Sequence, residues 1–245
     1  MNNINLYQAD CIKIMQHLKD NNVKIKLTLT SPPYNMRTRV SKGKYTTREM
    51  SDHFSKKYNN FHDAFSIEKY YDIHVEALNL MLDLSEIVLW NFSIVTGSKE
   101  AIFKIIGDFN KEIKDIIVWD KGYGQPAMHD GILNRATELI LILKRDAKAG
   151  RFLETFNFKR GTLPDIWRIN PERSRCKGHG AIFPLDLAKK AISNFSNEND
   201  TILDPFMGSG TVGVACNLLN RNFTGIELDQ EYFEFAKNRI NGEMV

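Results

Sequence analysis

Cysteine, metal-binding patterns and long apolar runs are scarce in this sequence of 245 residues. Its three cysteines, Cys11, Cys176 and Cys216, lie far apart and form no CxxC pair, so neither a disulfide framework nor a cysteine-based metal site is predicted. The six histidines show no metal-ligand spacing, and we predict no metal. No run of about 18 uncharged apolar residues occurs, so no membrane span is expected. Because the first residues contain no apolar signal stretch, we expect a cytoplasmic protein.

The net charge is small, at +3, but the basic residues are unevenly distributed. Residues 35–57 carry +5 and residues 144–177 carry +6, which leaves −8 for the rest of the chain. Positive charge concentrated on an acidic body is typical of a surface that binds a polyphosphate. Charge alone leaves solvated loops as the alternative interpretation.

Apolar runs of strand length alternate with helical patterns along the chain. Strands are predicted at residues 24–30, 87–94, 115–119, 139–143, 201–204 and 223–227. Helices are predicted at residues 11–19, 67–84, 99–109, 185–195, 212–219 and 230–240. Strands rich in Ile, Leu and Val that alternate with helices indicate an α/β fold with a doubly wound, mostly parallel sheet. We expect a single domain over residues 1–245, and two basic insertions, at about 35–65 and 145–179, at the carboxyl edge of the sheet.

The first motif, Ser31-Pro32-Pro33-Tyr34, directly follows a predicted strand. Its two prolines fix φ and remove two backbone donors, so the segment cannot continue a sheet and forms a rigid turn with free carbonyl groups. A hydroxyl precedes the prolines and an aromatic ring follows them. The tetrapeptide therefore offers hydrogen-bond acceptors beside a stacking surface, although a Pro-Pro turn also arises for structural reasons alone.

The second motif occupies residues 204–211, Asp-Pro-Phe-Met-Gly-Ser-Gly-Thr, between a predicted strand and helix. Gly208 and Gly210 permit a sharp turn and close approach of a ligand, and the following helix begins with free N–H groups. Glu227 ends the next strand, where a carboxylate is suited to the two hydroxyls of a ribose. The motif has neither a third glycine nor a phosphate-binding lysine, so a nucleoside without a pyrophosphate fits it best. A tight turn without a ligand is the alternative.

In this order the two motifs resemble those of the β-type amino-methyltransferases of DNA, which carry the catalytic tetrapeptide before the cofactor motif, a circularly permuted order. Asp10-Cys11 resembles the family's contact to the cofactor adenine. Residues 179–184 resemble the segment before the cofactor motif, although Gly180 stands where a proline is common. Residues 225–227 with Tyr232 resemble the ribose-binding strand and its helix. The resemblance implies S-adenosylmethionine as cofactor and double-stranded DNA as substrate.

The resemblance also assigns roles to individual residues. The catalytic residues are Ser31, Pro32, Pro33 and Tyr34. The cofactor-binding residues are Asp10, Cys11, Ser31, Pro32, Asp204, Phe206, Gly208, Ser209, Gly210, Thr211 and Glu227. The residues expected to contact DNA, in the basic insertions, are Arg37, Arg39, Lys42, Lys44, Arg160 and Arg168. The Ser31 hydroxyl and the Pro32 carbonyl would hold the protons of an exocyclic amine, and Tyr34 would stack on a base flipped out of the duplex.

The target base follows less directly from the sequence than the reaction does. Family members that act on N4 of cytosine mostly begin the tetrapeptide with Ser, whereas those that act on N6 of adenine mostly begin it with Asp or Asn. Ser31 and Phe183-Pro184 therefore favour N4 of cytosine, with N6 of adenine as the alternative. Methylation at carbon 5 is not expected, because it needs a cysteine nucleophile and no Pro-Cys dipeptide occurs.

Other functions and partners were weighed on the same residues. Methyltransferases of RNA or of protein glutamine usually place the cofactor motif first, and a DNA-binding module without catalysis would not need intact Ser31, Gly208, Gly210 and Glu227. The family further admits a cognate restriction endonuclease, in a restriction-modification system, and a homodimer. No membrane partner is expected.

Overall fold

The computed structural model describes residues 2–35, 65–124, 130–146, 150–154, 156–172 and 183–243, and the backbone of residues 40–41 and 44–45. The strands are β1 (Ile4–Gln8), β2 (Ile25–Thr30), β3 (Val40–Ser41), β4 (Lys44–Tyr45), β5 (Ser85–Phe92), β6 (Ile113–Asp120), β7 (Thr137–Leu143), β8 (Ile166–Arg168), β9 (Thr201–Asp204) and β10 (Asn222–Glu227). The helices are α1 (Cys11–Asp20), α2 (Ile67–Leu84), α3 (Lys99–Asp108), α4 (Leu185–Phe195), α5 (Thr211–Leu218) and α6 (Gln230–Ile240). Every predicted strand and helix is present, with ends that agree within two residues.

Eight strands form one sheet in the order β1-β10-β9-β2-β5-β7-β6-β8, and β3 pairs with β4 in a separate hairpin. The first five strands in this order are parallel to one another. Strand β7 runs antiparallel to both β5 and β6, and β8 is parallel to β6. Helices cover both faces, so the predicted doubly wound, mostly parallel α/β fold is confirmed.

Successive residues of the central strand β5 face opposite sides of the sheet, as strand geometry requires. Ile87 and Leu89 join the core formed with α4, α5 and α6. Val88, Trp90 and Phe92 join the core formed with α1, α2 and α3. Burial on both faces explains why the strands read as continuous apolar runs rather than as alternating patterns.

The direction of β7 corrects one expectation about the second basic insertion. Leu143 pairs with Val88 and Ile113, so the chain leaves β7 at the amino edge of the parallel strands and not at the carboxyl edge. The prediction that the whole segment 145–179 lies at the carboxyl edge is therefore wrong for its first part. Strand β8, which was not predicted, returns the chain to the carboxyl edge, where Arg168 pairs with Asp120.

Ion pairs at the amino edge explain some of the basic residues counted in that insertion. Arg145 binds Asp83 near the end of α2. Arg151 binds Asp115 at 2.6 Å, and Lys144 binds Glu154 at 3.1 Å. These charges are used within the fold, on the side opposite the predicted site. Among the residues described above, no helix is long and apolar enough to cross a membrane.

Candidate active site

The carboxyl ends of β1, β2, β9 and β10 border one cavity of about 590 Å³, a volume typical of small-ligand sites. Its lining includes these residues of the predicted cofactor set: Asp10, Cys11, Ser31, Asp204, Phe206, Gly208, Ser209, Thr211 and Glu227. Pro33 also lines the cavity, whereas Pro32, Tyr34 and Gly210 do not. The topology thus brings together residues that are up to 217 positions apart in sequence, because all four strands end at the same edge.

The glycine turn between β9 and α5 is fixed by its backbone and by α6. Gly208 and Gly210 have φ values of 52° and 76°, in the left-handed region that glycine adopts without strain. A Cβ at Gly210 would lie 2.9 Å from the Ala236 Cβ on α6. Arg239, also on α6, donates hydrogen bonds to the Ser209 carbonyl at 3.0 Å and to Thr211 Oγ1 at 2.9 Å. Gly210 therefore packs against α6 and does not line the cavity, whereas Gly208 does.

Glu227 is held rigidly at the end of β10 with its side chain buried. Its Oε2 accepts a hydrogen bond from the Gly208 N–H at 2.8 Å, and its Oε1 accepts one from the Asp229 N–H at 2.9 Å. Each carboxylate oxygen retains a lone pair for a further donor. Burial raises the pKa of Glu227, against the effect of the two backbone donors. The position is suited to the two hydroxyls of a ribose.

Two further acids, Asp204 and Asp10, line the cavity, and they accept hydrogen bonds from different kinds of donor. Asp204 is buried and accepts hydrogen bonds from Thr30 Oγ1 at 2.7 Å and from the Phe206 N–H at 3.2 Å. Burial raises the pKa of Asp204 to about 7. Asp10 instead caps α1, since one oxygen accepts from the N–H groups of Ile12 and Lys13 at 2.9 and 3.3 Å. Burial also raises the pKa of the neighbouring Cys11 to about 12, so its thiol stays protonated.

Helix α2 supplies a wall of the cavity that the sequence did not predict. Lys69, Ile73 and His74 all line it. The His74 ring stacks on Tyr70 at 3.9 Å and lies parallel to Phe206 at 6.3 Å, with an interplanar angle of 8°. Burial lowers the pKa of His74 to about 4, so the imidazole is neutral at neutral pH. An apolar helical pattern gave no sign that this face would meet the glycine turn.

The tetrapeptide after β2 is tied into a polar network that crosses three strands. Ser31 Oγ lies 2.9 Å from Tyr34 Oη, which donates a hydrogen bond to Glu138 Oε2 on β7 at 2.7 Å. The amide nitrogen of Asn91, on β5, lies 2.6 Å from Tyr34 Oη, 2.9 Å from Glu138 Oε2 and 3.1 Å from Ser31 Oγ. Burial and the Glu138 charge raise the pKa of Tyr34 well above its usual value. Sequence reasoning missed Asn91 and Glu138, although a polar residue in an otherwise apolar strand was a usable signal.

Side-chain and backbone anchors hold the tetrapeptide in place. Tyr70 Oη donates a hydrogen bond to the Pro33 carbonyl at 3.0 Å. Asn35, buried and with φ of 55°, donates to the carbonyl groups of Phe65 and Gly97 at 3.1 and 2.8 Å. Its Oδ1 accepts from the Phe65 N–H at 2.9 Å. Asn35 and Phe65 are thus joined beside the cavity, so the basic segment between them begins and ends at the predicted site.

The predicted DNA contacts fall in different parts of the chain. Arg37, Arg39 and Lys42 lie outside the described residues, and only the backbone of Lys44 is described, in β4. Arg160 is exposed. Arg168 lies at the carboxyl edge with a side chain that is 78% exposed, and its Nε donates to Asp120 Oδ2 at 2.8 Å. That contact holds the pKa of Asp120 below its usual value.

A doubly wound sheet with a glycine turn, an acidic strand end and a nucleoside-sized cavity is the arrangement expected of an S-adenosylmethionine-dependent methyltransferase. Within this class, the family described as DNA methylase, the N6/N4 amino-methyltransferases, matches residues 25–238. The chain belongs to this family, and it is a DNA methyltransferase that uses S-adenosylmethionine. The resemblance inferred from the two motifs and their permuted order is confirmed.

Similar proteins support the same assignment. The Type II methyltransferase M2.MboI of Moraxella bovis is 29% identical over 98% of this chain and 88% of its own length. The crystal structure of the M1.HpyAVI–SAM complex, 26% identical, covers 96% of this chain and 99% of that chain with a TM-score of 0.63. The cytosine-N4-specific PvuII DNA methyltransferase, 15% identical, covers 98% and 86% with a TM-score of 0.70 and shows the fold alone.

Removal of the Glu227 carboxylate should weaken cofactor binding. We expect Glu227→Ala to cost about 1.5–3 kcal/mol of S-adenosylmethionine binding, the scale of hydrogen bonds to a charged group. Because the pKa of Glu227 is raised, wild-type affinity should decline as pH falls through that raised pKa, where the carboxylate becomes a neutral acid. Calorimetric titration measures both effects. Glu231→Ala, an exposed acid in the first turn of α6, is the control and should bind normally.

Proposed function

We propose that this DNA methyltransferase methylates the exocyclic N4 amine of cytosine in double-stranded DNA. The observation that carries the proposal is Ser31, which heads the tetrapeptide and lines the same cavity as Glu227. A cofactor held at Glu227 and a base held at Ser31 can therefore meet. Phe183, which precedes α4 and also lines the cavity, adds support, because Phe183-Pro184 resembles the N4-cytosine group. N6 of adenine is the alternative target.

The residues around the glycine turn are suited to S-adenosylmethionine. Glu227 would accept hydrogen bonds from the ribose hydroxyls, and Gly208 lets the backbone approach the ligand. Asp204, when ionised, would face the ammonium group, and Asp10 with Cys11 would border the adenine. The bound cofactor would supply a sulfonium methyl group to the amine nitrogen.

The tetrapeptide would hold the base. The lone pair of an exocyclic amine is delocalised into the ring, so the amine is a poor nucleophile until acceptors localise that pair on nitrogen. The Ser31 hydroxyl and the Pro32 carbonyl would accept its two protons, and Tyr34 would contact the ring. Because the base must leave the helix, flipping costs a few kcal/mol. Phosphate contacts made by the basic insertions would offset this cost.

The biological setting we propose is a restriction-modification system in the cytoplasm. The support comes from relatives named Type II methyltransferases, such as M2.MboI of Moraxella bovis. A cognate restriction endonuclease is the corresponding partner. A homodimer, which the family admits, is testable by sedimentation of the free enzyme and of its DNA complex.

Digestion of methylated DNA to nucleosides, followed by mass spectrometry, tests the target base. We expect N4-methyl-2′-deoxycytidine and no N6-methyl-2′-deoxyadenosine. A methyldeoxyadenosine peak alone would overturn the choice of base while leaving the enzyme class intact. Long-read sequencing of DNA from cells that express the protein then reports the recognition sequence.

The first basic insertion should supply phosphate contacts. We expect Arg37→Glu with Arg39→Glu to weaken DNA binding and to reduce its salt dependence, by about 0.9 in slope for each lost phosphate contact. The matched control reverses two exposed lysines that precede β2 and β6 at the opposite edge of the sheet, Lys24 and Lys111. Fluorescence anisotropy across a salt series measures the slope. Equal slopes in the two double variants would mean that the insertion is a solvated loop.

A further inference from the structure

Glu138 is a carboxylate placed two hydrogen bonds away from Ser31. Its Oε2 accepts from Tyr34 Oη at 2.7 Å, and Tyr34 Oη lies 2.9 Å from Ser31 Oγ. The Glu138 side chain is 13% exposed and Asn91 is fully buried. Burying a carboxylate is costly unless it is paired, and Lys121 pairs with Glu138 Oε1, which leaves Oε2 to accept from the residues beside the cavity.

The direction of each hydrogen bond in this network follows from the chemistry of the carboxylate. An ionised carboxylate can only accept, so Tyr34 must give its single proton to Glu138. The Tyr34 oxygen then has only lone pairs left, and the Ser31 hydroxyl must donate to it. Ser31 therefore turns its own proton away from the cavity and presents a lone pair to it.

Asn91 supports this polarity. Its amide nitrogen lies within 3.1 Å of all three network oxygens, and its Oδ1 is buried with no hydrogen-bond partner among the described residues. An amide rotated by half a turn would bring that oxygen against the Glu138 carboxylate. Asn91 Oδ1 therefore stays unpaired because the amide turns its N–H groups, the donors, toward Glu138.

We propose that Glu138 is a positioning residue that acts through Tyr34, fixes Ser31 as the acceptor for the target amine and takes up the proton that the amine releases. The proposal rests on the proposed role of Ser31 at the amine. A neutral serine hydroxyl does not stabilise the positive charge that develops on the amine nitrogen as strongly as a carboxylate does. Glu138 provides that negative charge from a neighbouring strand.

The proton transfers balance in full. As the nitrogen–methyl bond forms and the sulfonium carbon–sulfur bond breaks, the nitrogen acquires one positive charge. Its excess proton moves to Ser31 Oγ, the Ser31 proton moves to Tyr34 Oη, and the Tyr34 proton moves to Glu138 Oε2. Ser31 and Tyr34 end as they began, the amine ends neutral, and Glu138 ends as a neutral acid. Water at the partly exposed side chain then removes the proton.

Three elements face the Glu138 carboxylate in the described part of the chain. Tyr34 comes from the turn after β2, Asn91 from β5, and Lys121 from the end of β6, with its Nζ 3.2 Å from Glu138 Oε1. Lys121 is the charged neighbour, and it pairs with the carboxylate oxygen that Tyr34 and Asn91 do not bind.

The test is the single-turnover rate of methyl transfer to DNA, measured as total label transferred from S-adenosylmethionine. Glu138→Gln keeps the side-chain shape but cannot accept a proton, and its rate should fall by about a hundredfold, the scale of a positioned proton acceptor. Cofactor affinity should stay unchanged. Glu138→Asp should recover part of the rate. Glu86→Gln, an exposed acid in β5 paired with Lys26, is the matched control and should keep the wild-type rate.

A second measurement is independent of activity. In isotope-labelled enzyme, the Tyr34 signal is assigned by its loss in Tyr34→Phe, and its ionisation is followed by nuclear magnetic resonance. Glu138→Gln should lower the pH at which Tyr34 ionises, since the Glu138 charge contributes to the raised pKa of Tyr34.

The outcomes separate this proposal from the proposed function. A wild-type rate in Glu138→Gln, or an unchanged Tyr34 titration, would overturn the relay. A slow Glu138→Gln enzyme with no recovery of rate in Glu138→Asp would reduce Glu138 to a structural role, which also overturns the relay. A normal rate in Ser31→Ala would contradict the proposed function itself, because it would leave Ser31 without a role at the amine. Because the label is counted without regard to the base, methyldeoxyadenosine as product would correct the base and leave the relay standing.

Discussion

A valine at Gly210 is expected to abolish detectable binding of S-adenosylmethionine, although Gly210 does not itself line the cavity. Gly210 has φ of 76°, where an L residue costs about 1–2 kcal/mol. Its new Cβ would lie 2.9 Å from Ala236 Cβ and 3.2 Å from Ala236 Cα, and overpacking of this kind costs about 1–3 kcal/mol more. The turn must move away from α6, and the Gly208 N–H then leaves Glu227, which it now binds at 2.8 Å.

Calorimetric titration measures the loss of binding, and thermal unfolding of the same samples reports whether the fold survives. Gly131→Val is the matched control, because Gly131 has φ of 78° but, among the described residues beyond its two chain neighbours, no heavy atom lies within 4 Å of a Cβ placed there. It carries the backbone strain without the contact with α6, and it should bind the cofactor normally. Gly210→Ala should bind with intermediate affinity. Wild-type affinity in a folded Gly210→Val enzyme would place the cofactor elsewhere.

The sheet and its helices were predictable because burial leaves a local signature. Strands such as Leu139–Leu143 of β7 and Ile87–Leu89 of β5 are buried on both faces and therefore read as apolar runs. The direction of β7 was not predicted. A usable sign existed, since residues 120–138 contain no helical pattern, and a parallel neighbour would need a crossover while an antiparallel one does not.

The parts of the site that lie within one motif were predictable, and those that depend on register were not. The positions of Asp204 and Gly208 follow from the turn after β9, and the position of Glu227 follows from the end of the next strand, β10. Asn91 and Glu138 meet Ser31 only because β5 and β7 are neighbours in the sheet, with Asn91 paired to Ile140. No local pattern encodes that pairing. A polar residue in an apolar strand marks such positions without saying what they contact.

Counting charges identified the second basic insertion but did not predict which of its residues can reach a ligand. The excess of basic residues in 144–177 is a property of composition, and composition does not show which charges are paired within the fold. Arg145 and Arg151 bind acids at the amino edge, whereas Arg168 lies at the carboxyl edge and is mostly exposed. The topology of β7 and β8 decides which residues of the segment can reach a ligand.

Removal of the Ser31 hydroxyl should lower the rate of methyl transfer by about two to three orders of magnitude, comparable to the loss of one preorganised polar contact. The variant Ser31→Ala leaves the turn intact, because Tyr70 still holds the Pro33 carbonyl and Asn35 still binds Phe65 and Gly97. Tyr34 also keeps its hydrogen bonds to Asn91 and Glu138. Cofactor affinity should therefore stay nearly unchanged, since Glu227 and the glycine turn are not touched.

Single-turnover transfer to DNA and calorimetric titration with S-adenosylmethionine separate these two effects. Ser193→Ala, at an exposed position of α4, is the matched control and should behave as the wild type. A Ser31→Ala enzyme that loses cofactor affinity in proportion to rate would assign Ser31 to cofactor binding rather than to the amine. A full rate would exclude the hydroxyl from the reaction. The expected result, slow transfer with normal cofactor affinity, would assign the Ser31 hydroxyl to the methyl-transfer step rather than to cofactor binding.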